Sequence, residues 1–538
     1  MALKPSRSRS HHIDDPWDKF GVRNDQAHDA EDWRLCTSQH NVSEIIRRFM
    51  ERGYTRLTGP IPHQRRVLRE FLEELVFRLP SGPTRSIDID IRHPVFGTGI
   101  AGLLVDCHDH TRCKNITGST CTDDISYSGN LSTSKLYENL HKQRNSLARR
   151  AERRIIFLPD LSPATALVLA SSVALRSTIP VRNTMHRYLT RECIFSATTT
   201  WGFFFEFHLP YYAMRVGRTE DHRTIAGKRL RKSEVLPLQC ESKDPDDLFY
   251  HEAQISSLCW GPDESFWTEI FFVETFFGSE LHYDKYLNPI QDPETNLTLR
   301  LDPPTLSYDP TLSSDPREYW LKQLEVRLSQ VVQEYTALIG TFSKRMETYV
   351  RTPGFMSDRS GHTQTLSDVL ETIQNFSDSI GSTIDAWESF RKTQISLFVL
   401  EGRRNDAKKP AYSRLLGSII QSIEELERLR GFLLTQRAKF KSRIENFHTV
   451  SSLSQTETAI TQGENIRILT QMTVYVAFPL LFTAAIFSMD FVKPKNDSLA
   501  WGLFFTVFVV TSVLNGTIAW LLHRSLIQKA VRKLLGLG

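Results

Sequence analysis

The most apolar positions of the chain form two uninterrupted stretches near its C-terminal end. Residues 468–489 read ILTQMTVYVAFPLLFTAAIFSM and residues 499–522 read LAWGLFFTVFVVTSVLNGTIAWLL, and neither stretch contains a charged residue. Because an α-helix rises about 1.5 Å per residue, each stretch is long enough to cross the roughly 30 Å hydrocarbon core of a bilayer. We therefore predict two transmembrane helices, joined as an antiparallel hairpin by a short external loop at 490–498.

The charges beside these stretches predict their orientation. The loop carries two acids and two lysines, whereas the tail at 523–538 carries basic residues and no acid. Positively charged residues next to a span favour the cytosolic side of a membrane. We therefore expect an integral, two-span protein of the lipid bilayer whose N-terminal part and basic tail are both cytosolic.

Upstream of the spans, apolar residues recur every three or four positions between 315 and 467. The runs extend from Leu321 to Phe342, from Leu366 to Trp387 and from Leu416 to Phe447. Asp315-Pro316 suits the start of the first helix, as an acidic cap followed by a first-turn proline. The spacing predicts long helices packed along one another in a coiled-coil-like helical stalk. No proline occurs between residues 411 and 478, so the last helix, if unbroken, is predicted to continue through the first span to Met489, with Gly431 and Gly463 as the positions that could bend or end it.

The region 31–310 mixes strand-like and helix-like segments. Residues 86–91 alternate in polarity, and residues 154–161, 201–209 and 267–277 are rich in β-branched and aromatic side chains, as strands are. Amphipathic segments such as 43–53 and 64–79 indicate helices. We predict a cytosolic α/β or α+β domain here, preceded by a polar tail, residues 1–30, that we expect to be disordered.

Composition excludes several classes of function. A formal charge of +4 on 538 residues is too small for a dedicated nucleic-acid binder, so we expect no nucleic-acid partner. Seven thinly spread cysteines favour a reducing compartment over a disulfide-stapled secreted domain. The first fifteen residues are polar, so no secretory signal is expected. The sequence has no Walker A loop, G-x-S-x-G elbow or H-E-x-x-H helix, and we do not expect an enzyme.

The C-terminal half resembles the CorA-type magnesium transporter superfamily, and more narrowly the divergent fungal CorA-like membrane proteins. The resemblance rests on a long helix entering the first span, Pro479 about ten residues before its end, the sequence FSMDF at 487–491, a short loop, a second span and a basic tail. It implies a homopentamer whose first span lines a pore and whose second span faces lipid. It further implies transport of divalent metal cations, Mg²⁺ foremost, with Mg²⁺ as cargo and possible regulator and no other cofactor.

The resemblance also implies roles for particular residues. Ser488-Met489-Asp490 occupies the place of the family's Gly-Met-Asn tripeptide at the outer pore mouth, where Asp490 would receive a hydrated cation. The family's pore-facing positions fall on Ala485, Leu481, Phe478 and Thr470, and its cytosolic gate falls near Arg467.

The departures from the family pattern keep two hypotheses open. A ring of Asp490 carboxylates would attract divalent cations, but it would also hold them more tightly than neutral Asn amides do. Arg467 would place positive charge near a cation gate. The chain is thus either a transporter or channel, or a CorA-derived membrane scaffold or sensor that conducts nothing. A Mg²⁺ flux that changes with Asp490 would separate the two.

Four further motifs have both a functional and an ordinary interpretation. GTGIAG at 97–102 satisfies G-x-G-x-x-G, although a tight loop is favoured over a dinucleotide site. Cys107, His108, His110 and Cys113, with Cys121 nearby, offer metal ligands in a spacing that fits no standard zinc module; an exposed loop is the alternative. A basic cluster is interpreted as a solvated loop, with anion or lipid contact as the alternative: Arg223, Lys228, Arg229, Arg231 and Lys232. Stalk acids are interpreted as exposed helix residues, with regulatory cation sites as the alternative: Asp368, Glu371, Asp378, Asp385 and Glu388.

Overall fold

A computed structural model describes most of the chain. The described residues are 17, 20, 41–51, 62–77, 100–107, 125–141, 145–146, 149–150, 153–200, 202–238, 247–278, 290–291, 298–299, 301–307, 315–351, 359–399, 408–488 and 497–534. The chain divides into two compact units, Met1–Phe440 and Lys441–Gly538.

A mixed sheet lies at the centre of the first unit. Its strands are β1 Ile100–Cys107, β2 Ile125–Ser132, β5 Arg153–Pro159, β6 Ile194–Thr198, β7 Phe203–Val216, β10 Ser233–Val235, β11 Leu248–Asp263 and β12 Phe266–Val273. They follow the order β2-β1-β5-β12-β11-β7-β6, and β10 also pairs with β11. Neighbours are antiparallel except for β5 and β12, which run parallel. Short pairs are β3 Asn145–Ser146 with β4 Arg149–Arg150, β8 Thr224–Ile225 with β9 Lys228–Arg229, and β13 Ile290–Gln291 with β14 Thr298–Leu299.

Helices cover both faces of this sheet. The first face carries α1 Val42–Glu51, α2 Pro62–Phe77, α3 Thr133–His141, α4 Pro163–Ser172 and α5 Thr178–Thr190. On the opposite face, α6 (Pro316–Arg351) packs on β7 and β11, and α7 (Arg359–Thr393) packs on β6 and β7. Because neither face is open to water, the central strands are apolar on both sides rather than alternating. Residues 155–158 of β5, for example, are all buried.

The predicted strands at 154–161, 201–209 and 267–277 are confirmed as β5, β7 and β12, and the predicted helices at 43–53 and 64–79 as α1 and α2. The alternating segment at 86–91 lies outside the described residues. The motif at 97–102 ends inside β1, so its last three residues form a strand rather than the expected loop. Gly102 is needed there, since a Cβ would lie 2.5 Å from the Phe157 carbonyl oxygen.

The helical stalk forms largely as predicted, although it packs on the sheet as well as on itself. Asp315 caps α6 by accepting a 3.0 Å hydrogen bond from the backbone N–H of Arg317. The apolar residues that recur every three or four positions along α6 and α7 are buried. The third helix, α8, extends over Lys409–Met472 without a break at Gly431 or Gly463. A short 3₁₀ segment, Ile395–Phe398, precedes it. Since α6, α7 and the first part of α8 share a compact unit with the sheet, residue 310 does not separate two units.

Two residues of the tail that was expected to be disordered are buried. Trp17 is 2 % exposed and Phe20 is 6 % exposed, and both pack against Phe203 of β7. The expectation is wrong at these positions because two aromatic rings, set among polar residues, are enough to anchor a short segment to an apolar surface.

The second unit contains the rest of α8, a π-helical turn at Thr473–Ala477, α9 (Phe478–Ser488) and α10 (Asp497–Leu534). Helix α9 packs against α10. The predicted continuous helix to Met489 is therefore interrupted. Pro479 has no N–H to donate and its ring crowds the preceding turn, and a wider turn just before it relieves both problems.

Candidate functional site

The candidate site lies on α9, within the stretch predicted as the first membrane span. Phe478, Leu481, Ala485 and Ser488 are spaced by three, four and three residues, so they fall on one face of this helix. That face is exposed in the single chain: 55 % of Phe478 and 70 % of Leu481 are accessible. Four of the six described residues predicted for the pore thus share one surface.

The opposite face of α9 is the one that packs. Pro479 and Thr483 are its buried residues, and the Phe487 ring lies 5.4 Å from the Phe504 ring of α10 between centroids. The sequence predictions do not include this face, although the four-residue spacing of Pro479, Thr483 and Phe487 is typical of residues on one side of a helix. Helix α9 therefore turns one face to α10 and leaves the predicted pore face available to another surface.

Hydroxyl groups along this region are satisfied within their own helices. Thr470 Oγ1 donates to the Ile466 carbonyl at 2.7 Å, and Ser488 Oγ donates to the Ala485 carbonyl at 2.7 Å. Such bonds allow polar side chains to sit in an apolar medium without unsatisfied donors. They do not prevent the oxygen lone pairs from facing a hydrated ion.

The remaining predicted site residues do not lie on α9. Arg467 and Thr470 lie on α8, and both are exposed. The π-helical turn separates them from α9, where Phe478 N donates to Thr473 O five residues earlier. This turn changes the helical phase, so the two residues do not simply continue the α9 face. Met489 and Asp490 lie outside the described residues.

A membrane-compatible helix is found in α10. Its segment Trp501–Ile518 is long and apolar enough to cross a bilayer, and none of it is buried. In the first apolar stretch, the described α9 has 11 residues because the π-helical turn precedes it. Among the described residues, one helix is thus both long and apolar enough to span a membrane by itself.

No metal-binding group of three or more His, Cys, Asp or Glu side chains occurs among the described residues. Cys107 ends β1, while His108, His110, Cys113 and Cys121 lie outside the described part. Two of the stalk acids, Asp368 and Glu371, line a surface cavity of about 580 Å³ beside Tyr250 and Tyr349. The Glu388 carboxylate accepts hydrogen bonds from Arg391, which lower its pKa. The stalk acids are therefore solvated or locally paired.

The basic cluster is only partly the solvated loop that the sequence predicts. Lys228 and Arg229 are exposed, but Arg223 and Arg231 are buried beside Glu274. Arg231 Nε donates to Glu274 Oε1 at 2.7 Å, and Arg223 also donates to this carboxylate. These two guanidinium groups connect β12 to the loop around β8 and β9, so they are not available to an outside anion.

A buried polar network lies between β7, β11 and α5. His208 Nδ1 lies 2.6 Å from Ser256 Oγ, and His208 Nε2 lies 2.7 Å from Glu206 Oε1. The order Ser–His–Glu is that of a nucleophile relay. However, His208 and Ser256 have no exposed surface, and Glu206 also accepts from Thr184 and Arg187 of α5. The network therefore joins helix to sheet and offers no place for a substrate.

Comparison with known proteins finds a family similarity in the C-terminal half of the chain. The sequence model of the CorA-like Mg²⁺ transporter protein matches residues 319–524, from the first turn of α6 into α10. Over these residues the chain is similar to the CorA superfamily. No curated relative matches the chain in sequence.

A solved structure is similar to this CorA-like chain as well. It is the complete structure of the CorA magnesium transporter from Methanocaldococcus jannaschii, at 10 % sequence identity, and the match covers 78 % of this chain and 98 % of that one. The TM-score is 0.31, a similarity too loose for residue positions to be transferred. The CorA-like assignment therefore rests on residues 319–524.

Proposed function

We propose that this protein transports divalent metal cations, with Mg²⁺ as the principal cargo, through a pore assembled from several copies of the chain. The observation that carries the proposal is the family match over residues 319–524, which includes α8, α9 and most of α10. Transport runs down the electrochemical gradient and needs neither a covalent step nor ATP.

The exposed face of α9 supports this function as the pore lining. Two helices cannot enclose a polar path through lipid, so a pore requires several copies of α9 around one axis. A face that is exposed in the single chain while the opposite face packs on α10 suits such an arrangement. Five copies, as in the family pattern, would put α9 at the axis and α10 toward lipid, with the apolar stretches 468–489 and 499–522 as a two-span hairpin.

The proposed path places Ser488, Met489 and Asp490 at its outer mouth. Carboxylate oxygens are preferred partners of hydrated Mg²⁺, which sheds its water reluctantly. A ring of Asp490 side chains would concentrate divalent cations there, and the apolar face below it would restrict the conduction path. The N-terminal unit and the basic tail would then lie on the cytosolic side.

The test is Mg²⁺ flux into vesicles that contain the purified full-length protein and a trapped Mg²⁺ indicator. Wild type should give flux above that of protein-free vesicles, and Asp490→Ala and Asp490→Asn should change its rate. Leu481→Trp should reduce the flux because it fills the exposed face of α9. Val513→Trp, at an exposed position of α10, is the matched control and should leave flux intact. A folded oligomer without any flux would instead favour the non-conducting scaffold.

A further inference from the structure

The segment that carries Trp17 and Phe20 contacts the part of the first unit where α6 and α8 begin. The Trp17 ring stacks on Phe205 with 5.5 Å between centroids, and Phe20 packs edge-on against Phe203 at 6.2 Å. Glu264, in the turn between β11 and β12, donates its backbone N–H to the Phe20 carbonyl at 3.0 Å. The Glu264 carboxylate accepts from Trp17 Nε1. Trp17 and Phe20 are thus held by ring contacts with β7 and by polar bonds to a single turn.

Arg317 connects this segment to α8. Its Cζ lies 4.4 Å from the centre of the Trp17 ring and 5.7 Å from the centre of the Tyr412 ring, which belongs to the first turns of α8. The guanidinium is 1 % exposed, so both cation–π contacts are made away from water, where they are strongest. A ring of the tail and a ring of α8 therefore share one buried cation.

Polar bonds hold the same start of α8. Lys408 Nζ donates to Asp315 Oδ2 at 3.1 Å, and Asp315 also accepts from Arg317 Nη2 at 3.2 Å. Arg317 Nη1 donates to the Leu397 carbonyl, in the segment that leads into α8, at 3.4 Å. Removing Trp17 would let water reach Arg317, and a hydrated Arg317 would bind Asp315 and Tyr412 less tightly.

The sheet does not depend on this segment for its core. Phe205 and Phe207 also pack on Trp320 of α6, at 6.1 and 5.9 Å between centroids, and Trp320 has no exposed surface. Loss of the two tail rings would therefore expose part of Phe203 and Phe205, while Trp320 would still pack on Phe205 and Phe207.

We propose that Trp17 and Phe20 form a releasable latch that holds the start of α8 in place through Arg317, and that release of the latch raises the transport rate. The second part rests on the proposed function. The contacts of Arg317 and Lys408 at the first turns of α8 act on the same continuous helix that extends to Met472.

The structural part is tested by hydrogen exchange on the full-length protein in detergent. Trp17→Ala with Phe20→Ala should speed exchange at least tenfold in peptides covering 315–320 and 408–416. Exchange in β5, residues 153–159, should stay unchanged. Trp17→Phe should retain most of the protection because it keeps an aromatic ring over Arg317. A synthetic peptide of residues 10–26, added to the double variant, should restore protection at 408–416.

A second measurement tests the coupling through Arg317. Trp17→Ala and Tyr412→Ala should lower the melting temperature by less in combination than the sum of the separate shifts, because both act on one cation. Additive shifts would overturn the proposed coupling. Equal acceleration of exchange in β5 and α8 would show that Trp17 is an ordinary core residue and would also overturn the latch.

Vesicle flux distinguishes failure of the latch from failure of the transport proposal. The double variant should carry Mg²⁺ at least threefold faster than wild type, and the peptide should reverse the gain. Unchanged flux from a conducting wild type would overturn regulation by the latch. If neither protein conducts but the exchange pattern appears, the latch holds α8 as proposed and transport is the part that fails.

Discussion

Replacing Glu269 by glutamine should change how the free energy of unfolding depends on pH. Compared with wild type, the variant should gain stability as the pH rises from about 5 to about 8. Glu269 lies on β12 with no exposed surface, and it accepts a 2.9 Å hydrogen bond from Ser257. Burial, with a smaller contribution from the nearby Asp302, raises the pKa of its carboxyl from 4.5 to about 8. The folded protein therefore keeps a proton on Glu269 at neutral pH, whereas the unfolded chain releases it.

The sign of the effect follows from proton binding. Between pH 4.5 and about 8 the folded state binds more protons at this site than the unfolded state, so stability falls as pH rises. Each unit of pKa difference is worth about 1.36 kcal/mol. The full difference would give about 5 kcal/mol, and with partial relaxation of the site we expect roughly 2–4 kcal/mol. Glutamine does not titrate, so Glu269→Gln removes this loss.

The assay is denaturant unfolding of full-length wild type and Glu269→Gln in detergent at several values of pH between about 5 and 8. As pH rises over this range, the free energy of unfolding of the variant should increase relative to that of wild type by roughly 2–4 kcal/mol. Glu347→Gln, at an exposed position of α6, removes the same charge and serves as the control. A difference between Glu269→Gln and wild type that does not vary with pH would refute a protonated Glu269 in the folded protein.

Three further substitutions test the fold by their melting temperatures and denaturation midpoints. Trp320→Ala should cost about 3–5 kcal/mol, because this fully buried ring packs on Phe205 and Phe398, and a smaller loss would show that the site collapses. Gly102→Ala should cost about 1–3 kcal/mol, since its Cβ would overlap the Phe157 carbonyl oxygen and β1 would have to shift; an unchanged midpoint would contradict that contact. Glu274→Ala should cost about 3–5 kcal/mol because it leaves two buried guanidinium groups without their shared carboxylate, and a neutral result would mean that water already reaches them.

The periodic parts of the sequence were the predictable ones. The three- and four-residue spacing from Leu321 to Phe342 and from Leu366 to Trp387 identifies buried stripes that the structure shows on α6 and α7. Residue spacing does not predict which element a buried helix face packs against. Here the sheet is a packing partner as well as the other helices. In the same way, the Asp315-Pro316 signal placed the start of α6 because capping is a local interaction.

The features that sequence reasoning missed depend on contacts far apart in the chain. Arg223 and Arg231 look like a solvated cluster until Glu274 is brought beside them by β12. Trp17 lies in a polar part of the sequence, and the residues that bury its ring, Phe205 and Arg317 among them, are about 190 to 300 positions away. The interruption before α9 is only partly predictable: Pro479 has no backbone N–H to donate, but the π-helical turn that accommodates it has no signal in the sequence pattern.

A cation path along α9 is tested most directly by the rate of Mg²⁺ entry into vesicles carrying Leu481→Cys, measured before and after a membrane-impermeant thiol reagent. Leu481 is 70 % exposed on the face of α9 that is proposed to line the pore, and Val513→Cys on α10 is the matched control. We expect flux from wild type and both variants, and loss of flux after treatment only in Leu481→Cys. Absence of Mg²⁺ entry in the untreated wild type, or equal sensitivity of Leu481→Cys and Val513→Cys to the reagent, would contradict a cation path along this face.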